Sequence, residues 1–184
     1  MLVLTLLLTT AHGGVATAII VSAPGTRTWS GPVLFSAWGL GSLLGGLLLV
    51  RLGRGRELPG LVPVMLALTA PTCLLMLPAF ALGPAAAAAG LLVLGLPIAP
   101  TLTGLYLYAQ RLAPAGRENE VYALVQATII AGFGVGTTLT GALDGTLDGA
   151  AAGFVPACLV TLAALALSIP LYVASARTAE PSSP

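Results

Sequence analysis

Every charged side chain in this chain falls outside six apolar stretches, each close to the length that carries a helix across a bilayer. The stretches run about 2–21, 32–50, 61–82, 86–108, 121–143 and 152–174. Roughly 20 residues at ~1.5 Å per residue cross ~30 Å of hydrocarbon. Seven Arg and six acidic residues all lie in the separators or in the tail. A charge at the bilayer centre costs at least about 2.5 kcal/mol, so this segregation is what lipid imposes. The expected fold is all-α: an integral membrane bundle of six transmembrane helices over 1–176, with 177–184 a disordered cytoplasmic tail.

Composition agrees. Of the 184 residues, 57% are hydrophobic and 7% charged, with a mean hydropathy of +1.01. A soluble domain carries about 25% charge, so no water-facing surface can be assembled from this chain. A formal charge of +1 is too small to imply a nucleic-acid partner, and none is expected. The expected partners are the bilayer and a small molecule. No Lys or Arg precedes Arg27, which predicts that the first segment is a membrane helix and not a cleaved secretory signal.

The separators carry turn chemistry, among them Gly83-Pro84, the stretch 110–120 with Pro114 and Gly116, and 144–149 with Gly145. They also set orientation. With the N-terminus in the cytoplasm, the inner side holds Arg51, Arg54, Arg56, Arg111, Arg117 and Arg177, and the outer side only Arg27. The positive-inside rule then predicts both termini cytoplasmic in a multi-pass protein of the cell membrane.

Lipid offers no hydrophobic drive for helix association, so small residues must let backbones approach. Gly41 and Gly45 in the second segment, and Gly132 and Gly136 in the fifth, stand four residues apart and predict two contact faces. Prolines inside the third, fourth and sixth segments (Pro71, Pro78, Pro97, Pro100, Pro156, Pro170) predict bends.

Residues 46–56 read G-L-L-L-V-R-L-G-R-G-R. This resembles the loop motif of the major facilitator superfamily, which runs roughly G-x-L-a-D-R-x-G-R-[RK]. Gly46, Leu48, Arg51, Gly53 and Arg54 match it, and Val50 stands where the family has an acid. Residues 100–124, P-T-L-T-G-L-Y-L-Y-A-Q-R-L-A-P-A-G-R-E-N-E-V-Y-A-L, followed by a Gly-rich span, look like helices ten and eleven of bacterial, notably actinobacterial, members. The resemblance implies the C-terminal six-helix half of a secondary transporter that moves a small, amphiphilic solute by alternating access, with efflux one direction open to it. The other half would come from an upstream segment or another subunit. Gly46, Arg51, Gly53 and Arg54 would form the gating-loop motif. A six-helix accessory subunit without transport is the alternative.

Four residues are candidates for lining a substrate cavity. His12 is the one ionisable group inside an apolar segment, and could bind solute, carry a proton or simply bond a neighbouring helix. Thr101 and Tyr108 share a face of the fourth segment with Pro97 and Gly104. Gln126 lies one turn inside the fifth segment, on the face of Tyr122; a buried amide there needs partners, from another helix or from a cavity. Tyr106 and Tyr108 also suit interfacial anchoring. Arg51 and Arg54 suit either a cytoplasmic lock or orientation of a helix C-terminus. No acid lies within the spans, and neither H-E-x-x-H nor G-x-S-x-G occurs. An enzyme, a cofactor and a metal site are therefore not expected. Cys73 and Cys158, each inside an apolar run, read as small buried hydrophobes.

Overall fold

The computed structural model describes residues 1–22, 30–52, 61–147 and 149–178. Seven helices make up six candidate membrane spans: α1 Leu2–Val21, α2 Ser30–Leu52, α3 Leu61–Leu82, α4 Pro84–Gly95, α5 Ile98–Leu112, α6 Glu118–Leu143 and α7 Gly149–Thr178. There are no strands among the described residues. The protein is thus an all-α bundle with six helical spans long and apolar enough to cross a membrane. The last helix continues to Thr178, past the expected end near 174, and residues 179–184 of the expected tail lie outside the described residues.

The fourth span is one crossing in two pieces. Pro97 and Pro100 lack amide hydrogens, and the chain turns at Leu96 and Pro97. The Leu96 amide bonds the Val93 oxygen at 3.2 Å, one residue short of the α-helical partner, Leu92. Leu92 O thereby loses its donor, and Leu96 O would have needed an amide at Pro100. The turn before α4 is made by Gly83, whose φ of +112° is open to glycine and hardly to other residues, with Pro84 as the first helical residue.

The freed carbonyls mark the tightest contact of α4 with α2. A Cβ on Gly41 would overlap Leu92 O, and one on Gly45 would overlap Leu96 O. With hydrogen in that place, the backbones meet through Cα–H···O contacts worth about 0.5–1 kcal/mol each. The glycines of α6 do the same against α1. A Cβ on Gly132 would overlap the Thr9 hydroxyl, with Leu6 O at 2.6 Å, and one on Gly136 would overlap Thr10 O. In both pairs the contacted residue number rises along both helices, so α2 runs parallel to α4, and α6 parallel to α1.

These pairs belong to a wider pattern. The most extensive interfaces are α1–α6, α1–α7, α3–α7 and α2–α4, followed by α3–α4 and α3–α5. Exchange the first three spans with the last three: α1 for α4–α5, α2 for α6, α3 for α7. Then α1–α6 becomes α2–α4, α1–α7 becomes α3 against α4–α5, α1–α2 becomes α5–α6, and α3–α7 maps onto itself. The principal neighbours of the two three-span units correspond, while the α6–α7 contact has no counterpart of its size between α2 and α3. With three crossings each, the two units enter the membrane from opposite sides.

The core divides along the membrane normal. One cluster joins α1, α2, α3, α4 and α7 around Ile19, Met76, Leu91 and Phe154. A smaller one joins α1, α3, α5 and α7 around Leu8, Leu66, Leu105 and Ala164. Between them each of the four helices common to this level buries a threonine: Thr9, Thr69, Thr101 and Thr161. Each hydroxyl donates to the carbonyl four residues earlier in its own helix, at 2.6–2.8 Å. All four hydroxyls are thus paired within their own helices.

Candidate functional site

His12 sits ten residues into α1, about 15 Å along the helix and near the middle of a ~30 Å core. It is half-buried and stands beside Trp38 of α2, ring centroids 6.0 Å apart. Phe35, one turn earlier, meets Trp38 edge-on at 5.4 Å. Trp38 is 7% exposed, and its indole Nε1–H finds no acceptor among the described residues. A buried donor left unpaired costs about 1–3 kcal/mol. This pair therefore offers a hydrogen-bond donor and an imidazole at mid-membrane depth, against an aromatic wall.

A second polar group joins α5 to α6. The Tyr106 hydroxyl donates to Gln126 Oε1 at 2.8 Å, and the Tyr106 and Tyr122 rings lie 6.1 Å apart. Gln126 is exposed, and the two tyrosines are half-buried. An amide and two phenols on an open face at this depth do not suit hydrocarbon. Polar side chains within spans face a bundle interior or a watered cavity.

Thr101 is placed differently from the other cavity candidates. It is buried, and its hydroxyl bonds Pro97 O at 2.6 Å, beside the Thr101 amide bond to the same oxygen at 3.0 Å. The same local bond occurs at Thr9, Thr69 and Thr161. Tyr108 is half-buried and makes no side-chain hydrogen bond among the described residues. The structure thus joins Gln126 to Tyr106 and His12 to Trp38. Phe35, Trp38 and Tyr106 were absent from the sequence-based set of cavity candidates. Tyr106 could have been found by asking which residue on the preceding span could satisfy Gln126.

Of the motif residues, Gly46 approaches Ala99 Cβ, which a Cβ on the glycine would meet at 3.4 Å. Arg51 is exposed in the last turn of α2, where its charge suits the helix C-terminus. Gly53 and Arg54 lie outside the described residues. At the start of α6, Glu118 accepts the Gly116 amide at 3.2 Å. Glu120 pairs with Arg117 at 3.8 Å, both side chains 68% exposed; such a pair contributes under ~1 kcal/mol. Among the described residues no three His, Cys, Asp or Glu gather in a metal-binding group.

No family model, no curated protein and no solved structure matches this chain.

Proposed function

We propose that this protein is one six-helix half of a secondary transporter of the cell membrane, both termini cytoplasmic, which moves a small, weakly polar solute by alternating access. The observation that carries the reading is the exchange of the first three spans with the last three, under which the principal helix contacts correspond. Inverted repeats of this kind let one scaffold present equivalent surfaces to either side of a membrane, and a discontinuous helix near the midplane is their usual companion. The break at Leu96–Pro97 fits that description. So does the loop-motif resemblance at Gly46, Arg51, Gly53 and Arg54 to the major facilitator superfamily. The polar groups at hand are neutral amide, phenol, indole and imidazole, and the only acids within the described spans, Glu118 and Glu120, stand in the first turn of α6, which favours uncharged or weakly polar solutes over inorganic ions.

The test is flux. The chain, purified with whatever six-helix unit accompanies it, is reconstituted in liposomes and challenged with a panel of neutral amphiphilic solutes. Saturable, counterflow-competent uptake is expected, with Gln126→Leu and Trp38→Phe raising the half-saturation concentration more than they lower the maximal rate. Absence of saturable flux for every solute, in a preparation with intact helix content, would leave an accessory subunit as the better reading.

A further inference from the structure

Trp38 is fixed through its backbone and unsatisfied at its side chain. A Cβ on Gly95 would overlap Trp38 O, so α2 is pinned to α4 at this residue, beside the break at Leu96–Pro97. The indole itself lies against His12 of α1. The α1–α2 interface is among the thinnest in the bundle, whereas α2–α4 and α1–α6 are among the most extensive. The indole therefore stands at a seam between two tightly packed groups of helices. At that seam Trp38 is 7% exposed and its Nε1–H has no acceptor among the described residues. The two rings beside it are more open: His12 is half-buried, and Phe35 is 43% exposed.

The chemistry of these groups selects a ligand class. An indole nitrogen donates and cannot accept, so it calls for an acceptor. A cation is disfavoured, because the free N–H turns its positive end outward and the acids of α6 stand in its first turn, away from mid-depth. An anion would need an opposite charge to offset its desolvation. The guanidinium on the same helix, Arg51, lies about 20 Å along it from Trp38. A neutral oxygen satisfies the donor without burying a charge, and rings flanking the seam suit a flat apolar body. Resting on the reading that this unit carries a weakly polar solute, we propose that the seam between Trp38 and His12 binds neutral, flat carbonyl compounds. The carbonyl oxygen accepts the Trp38 Nε1–H, and the apolar body lies along His12 and Phe35. Nε1 is covered in this structure, so admission parts α1 from α2 where their contact is thin. The ligand then favours the parted arrangement by satisfying a donor that is otherwise unpaired.

The test uses the full-length chain in detergent micelles and two probes of one outline: 4-fluoroacetophenone, and 4-fluoro-α-methylstyrene, in which a methylene replaces the oxygen. The chain has two tryptophans, and Trp29→Phe assigns the Trp38 indole signal in a nitrogen-15-labelled sample. The ketone should move the Trp38 N–H proton downfield and saturably while the Trp29 signal stays in place, and the alkene should not. Affinities read from the fluorine resonance should favour the ketone about tenfold. Trp38→Phe should abolish that preference. Phe35→Ala should weaken both probes alike and keep it. The proposal is overturned if the two probes bind equally tightly, if the ketone saturates without moving the Trp38 signal, or if both indole signals move together, which marks partition into the micelle. Ketone binding at Trp38 without flux in liposomes would count against transport and leave the site standing. Saturable flux with a solute preference that Trp38→Phe leaves unaltered would sink the site and leave transport standing.

Discussion

Gly136→Ala tests the packing logic most directly, because the obstacle it creates is backbone on both sides. An alanine Cβ at 136 would overlap Thr10 O, with Gly14 N at 2.8 Å and Thr10 C at 2.9 Å. None of these atoms belongs to a side chain that can rotate away. Relief requires α1 and α6 to separate by about 1 Å near the contact. A radial gap of 0.5–1 Å forfeits a quarter to a half of each van der Waals well. If the local interface is comparable to one buried Leu, with ~40 atom pairs at ~0.1 kcal/mol each, the loss is about 1–2 kcal/mol. That lies within the ~1–3 kcal/mol usual for an overpacked site. Two other glycines calibrate the measurement. At Gly90 the added Cβ meets the terminal methyl of Met76, a flexible end that can swing aside, so Gly90→Ala should cost less than about 1 kcal/mol. At Gly141 it meets nothing, and Gly141→Ala should be neutral or slightly stabilising because alanine is the better helix former. Unfolding in mixed micelles, followed by helical circular dichroism against denaturing detergent, ranks the three. If Gly136→Ala and Gly141→Ala unfold at the same point, the close approach of α1 and α6 is wrong.

A double-mutant cycle with Tyr106→Phe and Gln126→Leu should give a coupling of about 0.6 kcal/mol, and at most about 1.7, since hydrogen bonds between membrane helices measure in that range; zero coupling would mean the 2.8 Å bond is absent. Phe154 is fully buried against Phe80, centroids 5.4 Å apart, so Phe154→Ala should destabilise by about 3–5 kcal/mol in the same unfolding assay, and a loss below 1 kcal/mol would place that ring outside the core. Orientation is checked in whole cells with a membrane-impermeant maleimide: Thr146→Cys, in the exposed turn after α6, should label from outside, and Ala115→Cys, in the exposed turn before it, only after permeabilisation. The reverse pattern would invert the arginine argument. Cys73 and Cys158 are buried and should stay silent in both.

What sequence alone makes legible here is whatever lipid dictates locally. Span number and type follow from length and from the exclusion of charge, and the described helices fall on all six stretches. Ends are less determined. The second span was expected over 32–50 and runs Ser30–Leu52, and the last continues past 174 to Thr178, because polar residues at helix termini sit in the headgroup region, where nothing forces the helix to stop. The glycine pairs could be recognised as contact faces, but not matched to partners. That α2 meets α4 and α6 meets α1 depends on how helices far apart in sequence are ordered in the bundle. Gln126 is legible as needing a partner, and the preceding span offers Tyr106; that Trp38 stands beside His12 depends on how α1 and α2 are rotated against each other in the bundle. The face that Thr101 shares with Pro97 is legible in the sequence, and its hydroxyl bonds the Pro97 oxygen one turn earlier.

The departure of the two three-span units from perfect equivalence is as informative as their likeness. Under the exchange, α1 corresponds to α4–α5, yet α1 is continuous where its counterpart is broken. The local chemistry accounts for the difference. At mid-depth the fourth span has Pro97 and Pro100, which cannot donate, so Leu92 and Leu96 turn carbonyls toward Gly41 and Gly45 of α2. At the corresponding depth α1 has His12, Gly13 and Gly14, whose amides can all donate, so the helix survives. There the close approach runs the other way as well: a Cβ on Gly13 would overlap Phe133 O of α6, and Gly14 would bring one to 3.2 Å from the Thr140 hydroxyl. Both units thus place a small-residue contact and a local weakness at the membrane's centre, one by removing donors and the other by removing side chains. The two units meet one geometric requirement, close backbone approach to a neighbouring helix at mid-depth, by different local chemistry.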